Sequence, residues 1–392
     1  MKLSSRLERI KPSSTMAVTA KVLELKASGR QVIGFAAGEP DFDTWPHVCQ
    51  AAVDAIDAKQ FRYTAVGGTP ELKSAIVSKL GRDNGLEYAP SEVIATCGGK
   101  HALFNAMLAL LDEGDEVVIP GPYWVSYADM ARMAGGEPKI VMAAEENGFK
   151  LTPSELADAI GPKTRLVMMN SPSNPTGAAY SESELAEVAA VLASANCWVI
   201  SDDVYEFIRY DGARPRHIFD LEPSLRERGV IANSVSKTYA MTGWRIGYAA
   251  GPGAVIKAMG TIQGQSTSNP SSIAQAAAAA ALGGSQDELG PMVGEFHKRR
   301  DFVCERINSI DGLSTIVPDG AFYVFVNATG AMEKTGAKDG DELAMRILEG
   351  AGVGLVGGND FGSSSHIRIS YATSMELLEQ GLDSLDRWLA SV

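Results

Sequence analysis

Three features of the sequence predict an α/β protein, with a large domain built on a mainly parallel central sheet and a smaller α+β domain after it. The first is a series of short, continuously apolar runs at 93–96, 117–120, 166–170, 198–201, 230–233 and 246–249. The second is that helical patterns such as KHALFNAMLALLDEG and SESELAEVAAVLASAN lie between several of them. Strands apolar on both faces and joined by helices belong in parallel sheets covered on either side. The third is a change of pattern after Gly284. There a long charged amphipathic stretch, 286–310, precedes AFYVFVN, a helix near 341–349 and HIRISYA.

Taken in order, residues 1–45 hold too little apolar material for a core and are expected to pack on the small domain and on a partner subunit. Residues 46–285 form the large domain, and the segment SSIAQAAAAAALGG near its end reads as a tightly packed helix closed by Gly283. Residues 286–392 form the small domain. At 392 residues, 45% hydrophobic and 21% charged, the chain has ordinary globular composition. Its 35 basic and 48 acidic side chains leave a net charge of −13, which argues against nucleic acid and anionic membranes as main partners. No apolar run reaches the length of a membrane span, and MKLSSRLERIKPSST lacks the apolar core of a secretory signal. The four cysteines form no CxxC pair, so a reduced, cytoplasmic location is the plain expectation.

In open parallel sheets ligands bind beyond the carboxyl ends of the strands. Four polar clusters follow apolar runs directly. Asn170 leads into SPSNPTG, which holds Asn174 and also reads as a strand-ending turn. The run at 198–201 leads into Asp202, Asp203 and Tyr205, and an acidic pair there also serves as a helix cap. The run at 230–233 leads into Ser234, Ser236 and Lys237, then Arg245. A lysine after a strand is commonly a solvated charge, but small hydroxyl residues and AMTGW are poor surface companions. A desolvated lysine has a lowered pKa and attacks carbonyls. Gly98, Gly99 and Lys100 open a helix whose free amides suit a phosphate, although the Walker spacing is absent.

The order of these pieces is what is specific. From KPSSTMAV and GEPDFDT through FRYTAVGGTPELK, GGKHALFNAM, PGPYWVSY, NSPSNPTG and SDDVYE to SVSKTYAMTGWRIGY and HIRISYATS, the chain resembles fold-type-I pyridoxal-phosphate (PLP) enzymes. Within them it resembles class I aminotransferases of the aspartate aminotransferase family, over nearly its whole length. The resemblance implies that Lys237 forms a Schiff base with the cofactor and later moves the proton between the substrate α-carbon and cofactor C4′. Asp202 matches the carboxylate paired with the pyridine nitrogen, a role that leaves out Asp203. Tyr205 and Asn174 match the partners of the phenolic oxygen, and Trp124, beside Tyr123, the aromatic residue stacked on the ring. Arg245, Ser234, Ser236 and the backbone at Gly98–Lys100 match the phosphate site. Tyr63 matches a tyrosine that reaches the phosphate from the other subunit, which implies a homodimer with shared sites. Arg368 matches the clamp for the substrate α-carboxylate, where a bare reading allows a surface arginine on an edge strand. Gly38, Trp124 and Asn174 also fall at substrate-binding positions.

The better-known branch of the family holds the distal carboxylate of aspartate with an arginine that would fall near 262–269. No Lys or Arg occurs from 258 to 297. KPSST with GGK instead resembles the bacterial-type branch, in which Lys100 and an N-terminal hydroxyl, Thr15 with Ser13 beside it, engage that group. Members with this pair include aspartate/prephenate aminotransferases. The expectation is an aminotransferase working by ping-pong half-reactions between aspartate or glutamate and 2-oxoacids, with no metal. Prephenate, aromatic, alanine and kynurenine aminotransferases and β-lyases share the cofactor residues. A ligand-sensing, non-catalytic homologue fits poorly, because Lys237 and Arg368 are both present and no winged-helix pattern precedes them.

Overall fold

A computed structural model describes residues 3–10, 14–212 and 216–392. Its main sheet has seven strands: β2 (Val93–Thr96), β3 (Glu116–Gly121), β4 (Glu137–Met142), β5 (Thr164–Asn170), β6 (Trp198–Asp202), β7 (Gly229–Ser234) and β8 (Gly247–Ala250). The spatial order is β2-β8-β7-β6-β5-β3-β4, and only β8 runs antiparallel to its neighbours. The remaining strands are β1 (Ile33–Gly34), β9 (Tyr323–Asn327), β10 (Val353–Gly354), β11 (Val356–Gly357) and β12 (His366–Ser370).

Side chains alternate across a strand, so each apolar run feeds two cores. Val167, Met169, Val199 and Ile231 enter one cluster with the helices Pro70–Asn84, Glu182–Ser194 and Ser272–Gly283. Leu166, Met168, Ile200, Val230 and Ala232 enter the other with Gly99–Leu110 and Gly253–Gly264. The expected mainly parallel, doubly covered sheet is therefore found. The alanine-rich helix buries Ala274, Ala277, Ala278 and Ala281 against Ala52 and its neighbours, a close approach that larger side chains would block. Its last helical residue is Gly283, with Gly284 as the cap.

β4 is the strand the apolar pattern misses. It is an edge strand whose burial is intermediate at Pro138–Val141 and absent at both ends, so it carries proline and lysine instead of an apolar run. β9, β11 and β12 form an antiparallel sheet in the order β11-β12-β9, packed with the helices Leu289–Ser309 and Met375–Leu389. β1 pairs in parallel with β10, so the chain before the main sheet lies against the C-terminal strands. Among the described residues no helix is long and apolar enough to cross a membrane, and no group of His, Cys, Asp and Glu is suited to a metal.

The tightest backbone approach in the sheet bears on the site. Gly247 pairs with both Thr96 and Ser234, and a Cβ there would collide with the Gly98 carbonyl carbon and the Gly99 nitrogen. Gly247→Ala is expected to cost about 1–3 kcal/mol of stability by overpacking. An unchanged urea midpoint would show that the loop yields freely.

Candidate active site

The parallel strands β5, β6 and β7 end at nearly one level, with Asn170 beside Asp202 and Asp202 beside Ala232. Polar groups after each strand therefore converge on one cleft of ≈ 400 Å³. Asp202, Tyr205, Ser234, Ser236, Lys237 and Arg245 line it, with Gly38, Gly99, Lys100, Trp124, Asn174 and Arg368.

The acidic pair is divided by strand alternation. Asp202 faces the cleft, accepts a hydrogen bond from the Tyr127 hydroxyl at 2.6 Å and is pushed up to about 7, chiefly by burial. Asp203 points the other way, to His217 Nε2 at 2.8 Å and the Ser201 hydroxyl at 2.6 Å. Burial pushes Asp203 up as well, but His217 and Ser201 outweigh it and hold this carboxyl below its usual range.

Lys237 donates to the Gly38 carbonyl, and burial pushes its amine down to about 8, with Glu39 opposing and Arg245 and Arg368 adding to the drop. The bend that delivers it is fixed by Ser234, whose Oγ accepts the Ser236 amide at 3.2 Å. The Tyr205 hydroxyl lies 2.8 Å from that of Tyr323. A Cβ at Gly38 would come 2.9 Å from the same Tyr323 hydroxyl, so only glycine lets this segment close over the cleft.

The helix Gly99–Leu110 begins without a side-chain cap. Gly98 has φ +93°, and a Cβ there would collide with the Arg245 guanidinium, so loop and arginine form a single cradle. Arg245 is exposed and donates to the Thr242 carbonyl at 2.8 Å. Lys100 lies 4.9 Å from the centre of the Trp124 ring, and burial together with Arg245 lowers its pKa. Trp124 faces the cleft, whereas Tyr123 lines a separate small cavity.

Arg368, on β12, is 2% exposed. It donates to Asn174 Oδ1 at 2.9 Å and to the Ala36 carbonyl at 2.8 Å, and lies over the rings of Tyr323 and Phe361. Among the described residues its Nε has no partner, and burial lowers its pKa. A surface arginine is thereby excluded.

Tyr63 is 91% exposed and stands outside the cleft, beside Phe61, Arg62 and Pro270. Ser13 and the side chain of Thr15 lie outside the described residues. Tyr127, Tyr323 and Asn170 are site residues that motif reading left out. Tyr127 was within reach, since it falls in PGPYWVSY three positions after Trp124. Tyr323 sits inside an apolar strand and carries no such signal.

The sequence profile of aminotransferase class I and II matches residues 30–385. The chain belongs to this aminotransferase family. The aspartate/prephenate aminotransferase of Cereibacter sphaeroides is 50% identical over 396 residues, covering 100% of this chain and 99% of its own. The aspartate aminotransferase of Geobacillus stearothermophilus is 46% identical, covering 99% of each. Among solved structures, the aspartate aminotransferase of Rhizobium meliloti superposes with a TM-score of 0.95 at 46% identity, covering 100% of this chain and 99% of that one. That of Thermus thermophilus with maleate gives 0.93 at 41%, covering 99% of each. The expected family and fold are therefore borne out, and the protein is an aminotransferase.

In this aminotransferase, the Asp202 carboxyl binds a proton between pH 4 and 7 that the unfolded chain has lost. With ligand absent, it therefore subtracts stability as pH rises through that window. Asp202→Asn is expected to gain stability relative to the ligand-free wild type from pH 4 to 7, by up to roughly 4 kcal/mol. Parallel urea-unfolding curves at the two ends of the window would contradict this.

Proposed function

We propose that the cleft holds PLP and exchanges the amino group of aspartate or glutamate with 2-oxoacids. The observation that carries this reading is a fully buried arginine with an unpartnered Nε, in the same cleft as a lysine whose amine is pushed down to about 8. A buried cation of this kind is completed by a carboxylate, and the lysine is readily neutral and nucleophilic.

The residues fit the cofactor. Asp202, raised to about 7 and, among the described residues, receiving a tyrosine hydroxyl and a backbone amide, would be completed by the cation of a protonated pyridine. The uncapped helix start at Gly99, the Arg245 guanidinium and the buried hydroxyls of Ser234 and Ser236 suit a phosphate. When bound, PLP supplies a carbonyl carbon for amine exchange and a ring that takes up the electron pair left on the substrate α-carbon.

This chain's residues do the rest. Arg368 binds the α-carboxylate, with its plane set by Asn174 and Ala36. Lys237 Nζ, in the cleft beside Arg368, would take the proton from the substrate α-carbon and give it back in the exchange. Tyr205 and Asn174 would hold the cofactor's phenolic oxygen, and Trp124 would lie against its ring. Lys100 receives the distal carboxylate of a dicarboxylic substrate, with Thr15 and Ser13 assisting. Tyr63, with almost no contact of its own, reaches the phosphate of a partner subunit in a homodimer. The 1–45, 46–285 and 286–392 division describes the parts that carry these roles.

Prephenate is a second acceptor to consider. A relative 50% identical bears that name, and a lone lysine discriminates less sharply than a two-pronged arginine.

Purified protein reconstituted with PLP is expected to show a visible absorption band that aspartate alone converts to a pyridoxamine-like one. No band after reconstitution would overturn the cofactor reading. A band that aspartate leaves unchanged would overturn the donor. Lys237→Ala should lose turnover by a factor of roughly 10⁴ or more. Lys100→Ala should raise KM for aspartate about tenfold or more while leaving alanine little affected. Equal changes for both donors would show that Lys100 does not read the side chain.

A further inference from the structure

Four buried polar side chains from three elements form a closed network that none of the steps above uses. Lys79 and Asn84 come from the helix Pro70–Asn84, Glu206 from the turn after β6 and Asn233 from β7. None is more than 5% exposed, and none lines the cleft. Lys79 pairs with Glu206 Oε1, donates to Asn84 Oδ1 at 2.6 Å and lies over the Phe207 ring. Asn84 Nδ2 donates to Glu206 Oε2 at 2.8 Å. Asn233 Nδ2 donates to Glu206 Oε1 at 2.6 Å, while its Oδ1 accepts the Ser234 amide at 2.7 Å.

A buried ion pair is a poor way to gain stability, since apolar side chains of equal volume commonly do as well. What this one adds is geometry. Glu206 directly follows Tyr205, and Asn233 directly precedes Ser234. A Cβ at Gly99 would lie 3.5 Å from the Asn233 carbonyl oxygen and 3.4 Å from Ser234 Cβ, so the phosphate loop leans on the same two residues. Two walls of the cofactor site, the Tyr205 turn and the Ser234 strand end, thus meet on one carboxylate, and the glycine loop packs against the second.

We infer that Glu206 is a positioning residue. Its carboxylate, fixed by Lys79 and Asn84, holds Asn233 and through it the Ser234 backbone in register with Tyr205. The inference rests on the PLP reading of the cleft.

The decisive variant is Asn233→Ala, which cuts the link to Ser234 yet leaves Glu206 compensated by Lys79 and Asn84. The readouts are the Kd of PLP for the cofactor-free protein by absorbance titration, its urea unfolding, and kcat and KM of the reconstituted enzyme. The Kd is expected to rise at least about tenfold, the factor for one lost charge-assisted hydrogen bond. kcat should fall while KM for aspartate stays within about twofold. The double variant Lys79→Met/Glu206→Met removes both charges at similar volume and is expected to fold yet bind PLP as weakly. Wild-type PLP affinity and kcat in either folded variant would overturn the inference and leave the network as a fold element only. Failure of the wild-type protein itself to bind PLP would instead overturn the cofactor reading.

Discussion

The parallel register of β5, β6 and β7 sets Asn170, Asp202 and Ala232 side by side, and the placement of Tyr205, Ser234, Ser236 and Lys237 just beyond them follows from it. A slip of one residue in β6 would turn Asp203 to the cleft and send Asp202 toward His217. Two residues past Ala232 on the same face comes Ser234, opposite a glycine that lets the Gly98–Gly99 backbone settle onto the strand. The polar groups on the turns directly beyond, Tyr205, Ser236 and Lys237, are short-range consequences of that alignment. A twisted sheet buried on both faces can hold it, because each strand is anchored by two cores at once.

The cleft is electrostatically incomplete. Arg368 and Lys237 are cations removed from water, and Asp202 is an acid deprived of it, yet the three do not neutralise one another. An unpaired buried charge costs several kcal/mol, which the rest of the fold must offset. Asp203, next in the chain, shows the contrast, since His217 and Ser201 complete its environment and its carboxyl stays ionised. The difference between these neighbours is whether the protein or a ligand supplies the partner.

Much of this was legible in the residues alone. The central strands announce themselves because burial on both faces demands unbroken apolar runs. β4 does not, because an edge strand needs only one partner and tolerates Pro138 and Lys139. The two-residue strands β1, β10 and β11 are too short to carry any period. At the site, groups with unusual chemistry were readable: Lys237 among hydroxyls, paired acids after a strand, and glycines before a helix. The supporting tyrosines were not, since Tyr323 looks like any apolar strand residue until Tyr205 and Arg368 are seen around it. The choice between Trp124 and Tyr123 also needed the fold, because adjacent residues point to different cavities and sequence position alone does not say which.

The unpartnered Nε of Arg368 also bears on what the cleft refuses. An amine lacking a carboxylate, such as a decarboxylated amino acid or the side-chain amine of a peptide-linked lysine, would enter beside Lys237 and leave the guanidinium buried and unanswered. Sites built around a buried polar group reject analogues that omit its partner by factors of roughly 10⁴. On the proposed function, the arginine would thus act as a lock against biogenic amines and protein lysines, which the carbonyl of bound PLP would otherwise capture. Free amino acids and their 2-oxoacid counterparts would carry the matching charge at the right end.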